Sequence, residues 1–224
     1  GNSRTPSKAS VNGSCTQVTP VPGAPIAGTN NCSVDPETAV SYELGTKWEV
    51  FDRHLSLSAA VFRNERTNYR LPDPDPANVA GVQVLDGRSR VDGLALGAAG
   101  RITDQLSIFA NYSWLDSELE QSVSNFCLAN PGATGCNNSA ADPDPGKGDP
   151  LPNVPEHSAS LWTTYALSAW TLGYGATYQG AFHPTAANAA SNIETPSYVV
   201  HNAMVCYQLD ERFGLQLNLR NLTD

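Results

Sequence analysis

No apolar run in this 224-residue chain approaches the ~20 residues that a membrane-crossing helix requires, so transmembrane helices are excluded. That absence leaves a membrane barrel open, because barrel strands are apolar on one side only and a hydrophobic content of 40% suffices for them. Basic residues are scarce as well. The 13 Lys and Arg against 22 Asp and Glu give a net charge of -9, and no basic stripe interleaved with aromatics offers a footprint for nucleic acid. Recognisable chemistry is missing too: His54, His157, His183 and His201 are scattered without metal-ligand spacing. No nucleophile elbow, phosphate-cradling glycine loop or zinc motif is present, which argues against an enzyme. Nor does a signal peptide open the chain at Gly1, which we read as a section taken from within a longer precursor.

What the chain does contain is alternation. From Trp170 to Phe182, Trp170, Leu172, Tyr174, Ala176, Tyr178 and Phe182 fall on one face and Thr171, Gly173, Gly175, Thr177 and Gln179 on the other. Successive strand side chains point to opposite faces, so one side is oily with aromatic ends and the other is small and polar. A lipid-facing wall needs that distribution, whereas a soluble sandwich would favour Val and Ile and rarely places aromatics at both ends of a strand.

Seven further segments repeat it. The oily sides read Tyr42, Leu44, Thr46, Trp48, Val50; then Leu55, Leu57, Ala59, Val61; then Leu94, Leu96, Ala98, Gly100. They continue with Leu106, Ile108, Ala110, Tyr112, Trp114; Ala159, Leu161, Thr163, Tyr165, Leu167; Val199, Ala203, Val205, Tyr207 with His201; and Leu215, Leu217, Leu219. Each strand is expected to span about 10 residues, enough for a tilted crossing of a hydrocarbon layer. Glu43, Lys47 and Glu49 share the polar side of the first and are read as a charge column on a wet wall.

Connections alternate between tight turns (Asp52 to His54, Thr103 to Gln105, around Ser168, Asp210 to Phe213) and long Pro/Gly-rich stretches (Leu71 to Arg88, Glu120 to Glu156, His183 to Thr195). Residues 1–40 are expected to be an irregular outer loop and 41–224 a barrel wall. Outer-membrane barrels show this asymmetry, with short periplasmic turns and long extracellular loops. Both chain ends then fall on the outer side, which implies further strands before Ser41 and after Asp224. The long loops carry four of the five cysteines. Cys127 with Cys136 and Cys15 with Cys32 read as two local staples, free thiols or metal ligands being the alternative, and Cys206 is left on a strand. The tracts Pro72 to Pro76 and Asp142 to Pro145 bring carboxylates together, but alternating Pro blocks the wrap of a calcium loop, so they read as solvated tips.

Several phrases resemble a family when taken in order: S-Y-E-L-G-T-K-W-E-V-F from Ser41, L-S-L-S-A-A-V-F-R-N-E-R-T-N from Leu55, R-V-D-G-L-A-L-G-A-A-G-R-I from Arg90, Y-S-W-L-D-S-E from Tyr112, L-P-N-V-P-E-H-S-A-S-L-W-T-T-Y from Leu151 and L-Q-L-N-L-R-N-L-T-D from Leu215. They resemble the C-terminal barrel of TonB-dependent siderophore receptors, the catecholate-type branch above all. The resemblance implies an all-β fold, with roughly eight antiparallel transmembrane strands of a barrel of about 22 whose lumen is plugged. It implies import of a ferric siderophore with energy from TonB, iron entering only as cargo and no resident cofactor. The partners are outer-membrane lipid, the ferric chelate, and TonB through a plug region outside this chain. Ala95 stands where the family often carries an acidic residue.

The resemblance also implies capture rather than chemistry. A flat anionic chelate suits aromatic faces and cationic side chains, which makes Arg66, Arg70, Arg88, Arg90, Trp114 and His183 the candidate ligand-binding residues. The same arginines have a plainer possible use, pairing with Asp73, Asp75, Asp86 or lipopolysaccharide phosphates. Two other classes are a passive pore or adhesive barrel without TonB coupling, and a soluble β-sandwich that buries its oily stripes.

Overall fold

The computed structural model describes residues 2–5, 37–72, 74–76, 83–185 and 193–223. Cys15, Cys32 and Asp73 lie outside the described residues, and so does the pairing expected of the first two. The described strands are β1 (Asn2–Thr5), β2 (Glu37–Val50), β3 (Leu55–Pro72), β4 (Gln83–Arg101), β5 (Leu106–Gln121), β6 (His157–Leu167), β7 (Trp170–Gln179), β8 (Tyr198–Gln208) and β9 (Gly214–Leu219), with one short helix, α1 (Asn125–Ala129). They form one sheet in sequence order, each strand beside the next. All eight expected strands are present.

Two expectations about length are corrected. Strands β2 to β5 run for 14, 18, 19 and 16 residues rather than about 10. Their strands run on past the regular apolar stripe, since a ladder of backbone hydrogen bonds needs no oily face. The segment before Val40 is not wholly irregular either: β1 pairs antiparallel with the start of β2, Asn2 opposite Val40 and Thr5 opposite Glu37.

The chain forms two compact units. One comprises Gly1–Tyr42, Arg63–Val91 and Ser117–Leu151, the other Glu43–Phe62, Asp92–Asp116 and Pro152–Asp224. In the second unit the register places the apolar stripes side by side. Leu167, Trp170, Tyr207 and Leu215 form one row, and Leu106, Tyr165, Leu172, Val205 and Leu217 the next. Further rows are Ile108–Thr163–Tyr174–Ala203–Leu219, Ala110–Leu161–Ala176–His201, Tyr112–Ala159–Tyr178–Val199 and Trp114–His157. From first row to last is about 33 Å along a strand, or ~24 Å across a layer at a tilt near 45°. That is the height of the apolar band of an outer-membrane barrel, with Trp170 and Tyr207 at one edge and Tyr112, Trp114 and Tyr178 at the other.

This face stays open. Leu172, Leu215 and Leu217 are 45%, 64% and 59% exposed, and the only buried apolar residues among those described are Leu55, Leu71 and Cys127. A β-sandwich would have buried the stripes against a second sheet. Polar atoms on the apolar side find partners within it: Tyr112 Oη and His157 Nδ1 are hydrogen-bonded at 2.9 Å, Tyr174 Oη and His201 Nδ1 at 2.8 Å.

The opposite face carries Ser107, Asn111, Ser160, Thr164, Thr171, Thr177, Asn202, Gln216 and Asn218. Phe109, Trp162 and Met204 are large apolar side chains on it. Phe109 pairs directly with Trp162, and Trp162 with Gly175. A Cβ added to Gly175 would come within 2.4 Å of the Trp162 ring, and one on Gly173 would meet both Trp162 and Met204. The glycines leave room for the indole, an aromatic laid across bare backbone.

Tight turns fall where expected, each with its own local device. Thr103 Oγ1 accepts from the Leu106 amide at 3.0 Å, Asp210 Oδ1 accepts from the amides of Arg212 and Phe213 at 2.7 and 2.9 Å, and Ser168 takes a left-handed φ of 52°.

The first unit contains a correction of another kind. The stretch after Gln121, expected to be structureless, is folded. Ser124 caps α1 by accepting from the Cys127 amide, and Cys127 is bonded to Cys136 with a Cα separation of 5.5 Å. Asn138, 7% exposed, donates from Nδ2 to the carbonyls of Cys127 and Pro143, both at 2.7 Å. Asp144 holds Ser122, Leu119 exchanges backbone hydrogen bonds with Gly148 and Asp149, and Ser117 Oγ accepts from the Leu151 amide. Pro and Gly composition signalled a loop correctly, but it says nothing about side chains that cross-link one.

Candidate ligand-capture site

Four of the six candidates lie in the first unit. Arg66, on β3, donates from Nη2 to Glu37 Oε2 on β2 at 2.6 Å, and its guanidinium carbon lies 5.5 Å from the centre of the Tyr69 ring. Asn68 between them has φ 61°, the left-handed conformation that Asn tolerates. The Tyr69 ring then lies over Gly87 of β4, where an added Cβ would sit 2.5 Å from it, and its hydroxyl donates to the Gln121 carbonyl of β5 at 2.8 Å. One guanidinium and one phenol ring thus link four neighbouring strands.

Arg90 is bound differently. Its guanidinium bridges Glu118 at 3.0 Å and Glu120 at 3.5 Å on β5. Arg88 is two residues along β4 and therefore shares that face, exposed, opposite the buried Gly87 and Ser89. Arg70 follows Tyr69 on β3 and has interactions of its own. Two of the arginines pair with glutamates across the strands, Arg66 with Glu37 and Arg90 with Glu118 and Glu120. Asp86 accepts from the Asn125 amide and Nδ2 at 2.7 and 2.8 Å, anchoring α1. Cross-strand neighbours decide these pairings, and sequence distance does not reveal them.

Trp114 and His183 belong to the second unit. Trp114 ends the apolar row opposite His157 and donates from Nε1 to Glu156 Oε1 at 3.2 Å, which suits an interfacial anchor. His183 donates from Nδ1 to the Ile193 carbonyl at 3.2 Å while its own carbonyl accepts from the Asn153 amide. Its local role is to tie loop backbone. Tyr69 is the residue that sequence reading passed over. A tyrosine beside Arg70 at the end of a long polar strand was the available signal.

Comparison with known proteins decides the lineage. A family model described as TonB dependent receptor-like, beta-barrel matches residues 3–222. The chain belongs to the TonB-dependent receptor β-barrel family. This TonB-dependent receptor barrel is 41% identical over 196 residues to the probable TonB-dependent siderophore receptor PiuA of Acinetobacter baumannii, covering 87% of this chain and 24% of that protein. It is 29% identical over 197 residues to the catecholate siderophore receptor Fiu of Escherichia coli, covering 87% of this chain and 23% of Fiu. The crystal structure of Fiu, the ferric-catecholate import receptor of E. coli K12, in its closed form superposes with a TM-score of 0.70 at 26% identity, over 99% of this chain and 27% of that one. The chain spans about a quarter of the length of the relatives it matches. Its place is the outer membrane of a Gram-negative cell, in a family of receptors and transporters.

Proposed function

We propose that this chain forms part of the wall of a receptor that captures ferric siderophores of the catecholate class at the cell surface and imports them with TonB-derived energy. The observation that carries the reading is the extent of its likeness to Fiu, 99% of the chain at a TM-score of 0.70. The Arg66–Tyr69 pair supports it, since a guanidinium stacked on an aromatic face suits a flat anionic chelate. The exposed Arg88 adds positive charge for approach, Arg90 is held by Glu118 and Glu120, and Trp114 and His183 serve the wall and its loops. In this reading the protein has no catalytic role, iron passes through only as cargo, the apolar face meets lipid, and TonB engages a plug outside this chain.

The test is uptake of labelled ferric chelates by a strain lacking the gene and complemented with it. Uptake of a tris-catecholate that stops on addition of a protonophore supports the proposal. Protonophore-insensitive entry of unrelated small solutes would make the protein a passive pore instead.

A further inference from the structure

We propose that the cleft between the β2–β3 and β4–β5 turns binds the headgroup of a zwitterionic phospholipid, a phosphoethanolamine. The inference rests on the membrane-spanning reading above. The cleft has a volume of about 290 Å³ and is lined by Phe51, His54, Arg101, Ile102 and Asp104 among others. The two turns are joined by the Arg101 amide, which donates to the His54 carbonyl at 2.7 Å, and His54 is itself fixed by donating from Nδ1 to the Phe51 carbonyl at 2.7 Å. It is a built feature and not a chance gap between loose loops.

Its chemistry is bipolar. Among the described residues Arg101 and Asp104 each lack a charged partner and do not pair with one another. Beside them Phe51 and Ile102 are apolar yet 59% and 39% exposed. A phosphodiester suits the Arg101 guanidinium, an ammonium suits the Asp104 carboxylate, and the glycerol end of the lipid suits the two apolar side chains. An anionic headgroup without an ammonium would leave Asp104 facing negative charge.

The position agrees. Gln105, at the same turn, accepts from the Ala166 amide through its carbonyl at 2.9 Å, which sets the cleft beside Tyr165 and Leu167, at the edge of the band where Trp170 and Tyr207 lie. Short turns of such barrels face the periplasm, so the lipid would come from the inner leaflet.

The experiment uses the receptor that carries this chain, in nanodiscs of equal phosphatidylethanolamine and phosphatidylglycerol, with retained lipid counted by native mass spectrometry. Expected is a preference for the ethanolamine lipid of about fivefold, roughly 1 kcal/mol. Arg101→Gln should lose retention of both lipids, and Asp104→Asn should bring the two to parity while keeping retention. Equal retention by the wild-type protein, or unchanged retention in Arg101→Gln, overturns the proposal. Displacement of the lipid by millimolar inorganic phosphate also overturns it, assigning the site to free phosphate. Heat-modifiable gel mobility and membrane partition are read in parallel. A receptor that fails to partition would tell against the membrane reading, not the headgroup preference.

Discussion

The indole of Trp162 lies across the bare backbone of Gly175, close enough that an added Cβ would fall 2.4 Å from the ring. The pair places the largest side chain of β6 on the polar face, which a simple oily-out, polar-in rule would not allow. Gly175→Val should therefore destabilise the receptor by about 1–3 kcal/mol through overpacking. In a Trp162→Ala background the same change should cost much less, and the coupling is measured as a double-mutant cycle in reversible detergent unfolding.

Lipid exposure of the apolar face predicts an asymmetry between sequence neighbours. Leu161, in a middle row, and its sequence neighbour Ser160 point to opposite faces at nearly the same height. Leu161→Lys should cost about 2–4 kcal/mol and Ser160→Lys much less, by refolding into bilayers. Leu217→Lys, on the same apolar face as Leu161, should also be costly. Equal costs at 160 and 161 would remove the membrane assignment.

Gly100 adopts φ 141°, and a Cβ there would lie 2.0 Å from the His54 carbonyl oxygen. Both the conformation and the space demand glycine. Gly100→Ala should reduce the yield of heat-modifiable, membrane-inserted receptor, whereas Ala98→Gly two residues earlier should have little effect. The stripe in which sequence placed Gly100 gave no hint of this constraint.

The Cys127–Cys136 bridge closes a short segment of a folded outer loop, with a sequence separation of 9. Chain-entropy reasoning gives a closure of this length about 2–3 kcal/mol, acting on the loop and not on the strands. Cys127→Ser with Cys136→Ser should speed protease cleavage between residues 122 and 151 while leaving barrel unfolding unchanged.

For Arg66, loss of the Glu37 ion pair alone should cost at most about 1 kcal/mol, since the guanidinium is half exposed. A fall in chelate uptake well beyond that in Arg66→Ala, at unchanged surface level, would mark Arg66 as a contact to cargo. Arg66→Lys should rescue the charge but not the stacking on Tyr69.

The identity of β2 to β9, the shared face of each apolar stripe and the positions of the tight turns were legible in the sequence alone. A period of two is a local property: Leu172, Tyr174 and Ala176 must share a face however β7 is paired, and Asp210 makes its turn with residues two and three positions away. Which stripes lie side by side, the length of β2 to β5, the match of Arg66 to Glu37 and of Arg90 to Glu118 and Glu120, the Tyr69 bridge and the folding of the loop after Gln121 were decided by tertiary structure. Those features depend on register and on contacts between residues tens of positions apart, and nothing in the local pattern of side chains encodes that distance.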